Sequence, residues 1–224
     1  MDQGPKSYWA EFLGTFTLCF AGQGAIVMQQ AAGTNNLLVI AVAHGLALSI
    51  MISALGQWSG AHFNPAVTFG FWVTRRMSLT SAITYWVSQL LGAIAASFLL
   101  RAVVPGEPGA AVHFGVPMLA PGVSIGQGFL LEFVMTFFLV TAVWGTAVDE
   151  RGPKIGGFGI GLTVCMDILF GGPLTGAAMN PARTFGPAVA ANFWKDHIVY
   201  WIGPMAGGAL AGLVYGRFLI KDSK

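Results

Sequence analysis

Charge is what this sequence has least of. Its 224 residues hold 11 Lys and Arg and 9 Asp and Glu, 9% in all, where a soluble domain carries about a quarter. Such a surface is too poor in charge to face water throughout. Cysteine is nearly absent as well. Cys19 and Cys165 both fall inside apolar runs, which excludes a disulfide framework, and without a Cys-x-x-Cys pair no zinc-type spacing arises. No basic run interleaved with aromatics points to nucleic acid. No glycine-rich phosphate loop follows a strand, and no nucleophile–base pattern links serine, cysteine and histidine. The sequence therefore gives no ground for a catalytic residue, a cofactor or a metal. Met1–Ser7 shows no cleavable signal pattern, and the first apolar run is too long for a signal peptide.

What is abundant is apolar length. Hydrophobic residues make up 55% of the chain and the mean hydropathy is +0.69. A spanning helix needs about 20 mainly apolar residues. The runs Tyr8–Met28, Leu37–Gln57, Leu79–Val103, Ile125–Val148, Ile155–Phe170 and His197–Ile220 predict six spans, the fifth of them short. Cations distribute unevenly around these runs. Lys6, Arg75, Arg76, Arg151, Lys154, Arg217, Lys221 and Lys224 fall on one side, and Arg101 and Lys195 on the other. By the positive-inside rule both termini are expected in the cytoplasm. Arg183 belongs to neither set.

The chain also repeats itself. Ser59-Gly-Ala-His-Phe-Asn-Pro-Ala-Val-Thr-Phe-Gly70 matches Thr175-Gly-Ala-Ala-Met-Asn-Pro-Ala-Arg-Thr-Phe-Gly186 at eight of twelve positions. Glu11-Phe12 with Thr15-Phe16 likewise matches Glu132-Phe133 with Thr136-Phe137. Two repeats, about 8–103 and 124–220, are joined by a Pro- and Gly-rich linker at about 104–123, within one transmembrane domain of residues 1–224. Three spans per repeat is an odd number, so the second repeat enters the membrane from the opposite side. Such inverted repeats place their site near the midplane.

The segments after each Asn-Pro-Ala, Pro65–Arg75 and Pro181–Asn192, are too short to span. At 1.5 Å per residue they reach about half of the membrane. Asn is a preferred N-cap and Pro a preferred first helical residue. Asn64-Pro65-Ala66 and Asn180-Pro181-Ala182 are thus expected to start two half-helices that meet head to head. The extended segments before them, Gly60–Phe63 and Gly176–Met179, are tolerated at that depth only against protein or a wet cavity. The reading is an all-α membrane protein with six transmembrane helices and two re-entrant half-helices.

With these paired boxes in place, the sequence resembles the aquaporin (major intrinsic protein) family along essentially its whole length. The resemblance implies one pore per subunit, a homotetramer, and passage of water and small neutral solutes across the lipid bilayer. It assigns a selectivity filter to His44, Ile168, Ala177 and Arg183. Water-only members carry Phe and His where this chain has His44 and Ile168. The present set looks like the tonoplast intrinsic proteins and the aquaporin-eight type, and Asp167-Ile-Leu-Phe-Gly-Gly-Pro173 is similar to the second of these; members of that branch also pass ammonia and hydrogen peroxide. Glycerol-conducting members usually have Asp after the filter arginine, where this chain has Thr184. Ala188 and Tyr200-Trp201 likewise match the water branch.

By resemblance, Glu11 and Glu132 support the pore loops; a proton relay is the other reading of two carboxyls inside spans. Arg183 is fixed positive charge, and with the positive ends of two half-helices it is expected to repel cations and protons. Asn64 and Asn180 are expected to direct their amides into the pore. The role of Asp167 stays open between bonding a loop and tuning the filter, and His113 reads as a surface residue of the linker. A glycerol or urea facilitator, a secondary transporter and a structural membrane-junction protein are the competing functions. The cell membrane is favoured, with the vacuolar membrane as the alternative.

Overall fold

The computed structural model describes residues 4–220; Lys221 and Lys224, counted above among the cytoplasmic cations, lie outside the described residues. The described chain is helical throughout. The long helices are α1 (Pro5–Ala31), α2 (Leu37–Ser59), α4 (Leu79–Val103), α6 (Ile125–Val143), α7 (Phe158–Thr175) and α9 (Val199–Val214). The two half-helices are α3 (Pro65–Val73) and α8 (Pro181–Ala191), and α5 (Gly106–Ala111) is a short helix in the linker. A π-helical turn extends α6 over Trp144–Val148 and another extends α9 over Tyr215–Leu219. Among the described residues five helices are long and apolar enough to cross a membrane, α6 with its π-turn among them, while α9 with its π-turn runs over 199–219 and is less apolar.

Large apolar side chains point outward along these helices, among them Trp9, Ile50, Phe98 and Phe170. Polar and charged groups point inward: Glu11, Gln89, Glu132 and Thr184 are fully buried. This inversion of the soluble pattern follows from a lipid surround, in which an outward-facing charge is costly.

The packing repeats about a two-fold axis. Helix α1 packs on α4 as α6 packs on α9, and α2 crosses α7. The half-helices exchange partners, with α3 against α9 and α8 against α4, so that each repeat completes the other. Small residues permit the crossings. A side chain on Gly92 would strike the Phe12 carbonyl, and one on Gly207 the Phe133 carbonyl, at equivalent places in the two halves. Gly45 and Gly161 meet in the same way where α2 crosses α7.

Boundaries differ from the sequence reading where special backbone intervenes. The fifth span runs Phe158–Thr175 and not Ile155–Phe170. Gly156 has φ +58° and blocks an earlier start. The helix also continues through Pro173, because Gly171 and Gly172 pack closely on Met135 and Leu37, and it ends only at left-handed Gly176. Helix α3 stops at Val73 because Arg75 is left-handed at φ +60°, and α8 stops at Ala191 because Asn192 is, at φ +51°. The linker is more ordered than its composition suggests. It forms α5 and a 3₁₀ turn at His113–Gly115, held by Arg101, which lies 5.6 Å from the Phe114 ring and donates to the Ala190 carbonyl. At the opposite end of the bundle Arg151 pairs with Asp149 at 2.6 Å and donates to the Leu219 carbonyl. The Arg151 hydrogen bonds hold the Asp149 carboxyl down to about 2. The clasp therefore contributes stability above the ordinary carboxylate range and loses it as pH falls through about 2.

Candidate functional site

The two half-helices meet at their N-termini. Asn64 Oδ1 accepts from the Ala66 N–H at 2.8 Å, and Asn180 Oδ1 accepts from those of Ala182 and Arg183 at 3.0 and 3.3 Å. Both asparagines thus cap their own helices, as expected of Asn before Pro. Their amides also cross the junction. Asn64 Nδ2 donates to the Met179 carbonyl at 2.8 Å, and Asn180 Nδ2 donates to the Phe63 carbonyl at 2.9 Å. An amide nitrogen carries two hydrogens, so each keeps one beyond this bond. Both asparagines line the same cavity.

The loops leading to the boxes are strained. Ala61 and Phe63 have φ of +53° and +49°, and Ala177 and Met179 have φ of +43° and +53°. Left-handed conformations at non-glycine residues cost about 1–3 kcal/mol each and persist only where the surroundings over-determine them. The buried carboxylates do this. Glu11 accepts from Ser59 Oγ (2.6 Å), the N–H groups of His62 (2.9 Å) and Phe63 (2.7 Å), and Gln89 Nε2 (2.7 Å). Glu132 accepts from Thr175 Oγ1 (2.7 Å) and the N–H groups of Ala178 (2.9 Å) and Met179 (2.7 Å). Tyr85 and Tyr200 add matching bonds to the Ser59 and Thr175 carbonyls, at 2.9 and 2.8 Å. Every oxygen of both carboxylates is engaged, and neither residue lines a cavity. Their geometry suits fastening of loops better than a proton relay.

A narrow internal cavity, with about 20 Å³ open to the centre of a water molecule, runs past this junction. Its wall is mostly apolar, with Leu18, Leu48, Val67, Leu139 and Val164, interrupted by Asn64, Asn180, His62, His44 and Arg183. A wider vestibule, with about 530 Å³ open to the centre of a water molecule, opens beneath the linker and is lined by Ile40, Pro117, Ile168, Gly176 and Arg183. Arg183 borders both spaces and so marks the neck between them. Of the expected filter set, His44, Ala177 and Arg183 line the inner cavity, while Ile168 borders the vestibule. His44 Nδ1 donates to the Ile40 carbonyl at 2.8 Å, so the ring is both packed and cavity-lining. Arg183 Nη2 donates to the Gly176 carbonyl at 3.2 Å.

His44 depends on a neighbour that sequence reading passed over. A side chain on Gly22 would overlap the His44 ring. Gly22→Ala is expected to push the imidazole toward the lumen, lower water permeability several-fold and cost about 1–3 kcal/mol of stability. Gly24→Ala, whose added carbon meets only Leu100 at 3.5 Å, serves as the control. Stopped-flow permeability and thermal unfolding of both variants check this, and equal behaviour of the two would refute it.

His62 was also passed over. It is 3% exposed and lines the cavity, with Nδ1 3.0 Å from Thr68 Oγ1 and its ring 4.2 Å from that of Phe71. The one available signal was the break in the repeat, where His62 stands opposite Ala178. His113 lines neither space and stacks on Phe193 at 3.8 Å. Asp167 is buried, lines neither space, and carries one oxygen without a partner. Among the described residues no three His, Cys, Asp or Glu side chains converge as a metal site.

Comparison with known proteins gives a consistent result. The family model for major intrinsic proteins matches residues 3–215. Aquaporin TIP2-1 of Arabidopsis thaliana is 42% identical over 230 residues, covering 98% of this chain and 89% of its own length. Lens fiber major intrinsic protein of Lithobates pipiens is 45% identical over 218 residues, covering 96% and 81%. Among solved structures, the aquaglyceroporin from Plasmodium falciparum superposes with a TM-score of 0.85 at 25% identity, covering 96% of both chains.

Proposed function

Because the chain belongs to the major intrinsic protein family, we propose that it is a passive water channel that excludes protons and ions and also passes small neutral solutes such as ammonia or hydrogen peroxide. The observation that carries this reading is the reciprocal pairing of Asn64 and Asn180 at the head-to-head half-helices, inside a cavity otherwise walled by apolar groups. Two helix N-termini converge there, each with about half a positive charge. Each capping amide has a hydrogen to spare for a water oxygen. A water at that point turns its oxygen toward both boxes and its hydrogens away, which interrupts the hydrogen-bonded chain that a proton would follow. The field of the helix ends and the fixed charge of Arg183 oppose cations. The apolar remainder of the wall binds water weakly, so transit is quick.

At the neck, Arg183 supplies donors and His44 a polar ring, while Ala177 keeps the passage open with a single methyl. Ile168 replaces a polar group with an apolar face on the vestibule side. This mixed neck suits small neutral molecules with one polar end. The reading favours a channel over a catalyst, since the buried carboxylates are spent on backbone donors. The cations Lys6, Arg75, Arg76 and Arg151, clustered at one end of the bundle, support cytoplasmic termini. The TIP-type relatives weigh toward a vacuolar membrane, and the cell membrane favoured by the sequence draws no support from them. The family resemblance supports a homotetramer.

Arg183→Val tests the filter. It is expected to leave water permeability within about twofold while admitting urea and cations, because it removes the fixed charge and widens the neck. Uptake by proteoliposomes checks this. Unchanged exclusion of both solutes would place the filter elsewhere.

A further inference from the structure

Among the described residues, seven buried side chains carry polar atoms without a partner, and Gln23 and Arg183 each carry two. Gln23 on α1 is 2% exposed, yet neither its amide oxygen nor its nitrogen makes a hydrogen bond. Arg183 is 5% exposed, and its Nε and Nη1 are likewise without partners. Burial of such groups unpaired costs about 1–3 kcal/mol each. One orphaned side chain offers acceptor lone pairs, and the other offers only donors.

Both belong to one corner of the molecule. Helix α1, half-helix α8 and the His113–Gly115 turn pack against one another there. Along this stretch of α1, Leu18 lines the inner cavity, Cys19 packs with Ala182, the residue before Arg183, and Gly22 underlies His44. Cys19 lies one turn from Gln23, with its thiol beside the Gln23 amide, and within electrostatic reach of Arg183; a thiol is only a weak partner for an amide. Above Gln23 is Gly115 at φ +83°, where a side-chain carbon would sit 3.2–3.3 Å from the Gln23 Cα, Cβ and Cγ. The turn thus packs on the aliphatic stem of Gln23, and the same turn packs on α8, which carries Arg183. Gly115 and Arg183 both border the vestibule.

We propose that Gln23 is the positioning residue of Arg183, its carboxamide oxygen bridged through one water to the Nε and Nη1 donors of the guanidinium. Gly176 holds one edge of the guanidinium from the pore loop, and Gln23 holds the other from α1. The plane of the cation is then fixed across the neck, and with it the size limit for solutes. A buried water with polar partners on several sides satisfies both orphaned groups. This inference rests on the channel reading above.

The test compares Gln23→Met, Gln23→Glu and the same changes in an Arg183→Val background. Gln23→Met keeps the volume and removes the acceptor. It is expected to raise the urea-to-water permeability ratio about fivefold, the worth of one net hydrogen bond. Gln23→Glu retains an acceptor and is expected to keep the wild-type ratio. On Arg183→Val, Gln23→Met is expected to add nothing, and the two changes should shift the melting temperature non-additively. An unchanged ratio in Gln23→Met, or the same increment with and without Arg183, would overturn the proposal. Should wild-type vesicles conduct no water, the channel reading fails instead. The melting-temperature cycle then still decides the link, additive shifts contradicting it.

Discussion

Replacing Ala177 with Trp is expected to bring osmotic water permeability down to that of protein-free vesicles, a fall of at least about tenfold. Ala177 is fully buried, has φ +43° and lines the inner cavity close to His44 and Arg183. Its N–H is bonded to Thr175 Oγ1 at 3.1 Å, so its backbone is held in place. Because Ala177 lines the inner cavity, an indole at this position is expected to enter the lumen. Because Glu132 fastens the loop through Ala178 and Met179, the protein is expected to insert and fold while the passage is plugged. Stopped-flow shrinkage of proteoliposomes, normalised to inserted protein, measures the effect. Retention of wild-type flux would mean that water passes by another route.

A second large effect is expected at Glu132. Truncation in Glu132→Ala strands the Thr175 hydroxyl and the N–H groups of Ala178 and Met179, at about 1–3 kcal/mol for each unsatisfied donor. It also releases Ala177 and Met179 from conformations that are themselves strained. The loss is expected to reach about 3–5 kcal/mol, a melting-temperature drop on the order of 10 °C, together with loss of water flux. Glu132→Gln keeps one acceptor and is expected to fall between the two. Were Glu132 a proton relay, Glu132→Gln would leave stability intact and change only a proton current. Thermal unfolding in detergent separates these outcomes.

The sequence made the centre of this site legible because the centre is built from local signals. Asn64-Pro65 and Asn180-Pro181 are helix starts wherever they occur, and their duplication in an inverted frame supplied the head-to-head arrangement. Glu11 and Glu132 stood out as carboxyls inside apolar runs, and their hydrogen bonds account for them. What could not be read depends on partners distant in the chain. Gln89 reaches Glu11 across 78 residues and Cys165 reaches the Ala41 carbonyl across 124, and neither spacing announces itself. The end of α7 was misplaced because Gly171-Gly172-Pro173 carries the signature of a breaker. Packing of those glycines on Met135 and Leu37 overrides it. The linker's order is likewise tertiary, since Arg101 and Phe193 hold what its glycines and prolines alone would leave loose.

Water permeation and proton flux measured together test the central claim most directly. Proteoliposomes loaded with a pH-sensitive dye would be shrunk osmotically in the stopped flow and then exposed to a pH step under a potassium-clamped potential. The account predicts fast shrinkage, with an activation energy near that of water diffusion and a proton conductance no greater than that of empty vesicles. A proton current that rises in step with water permeability would contradict the orienting role of Asn64, Asn180 and the paired half-helices.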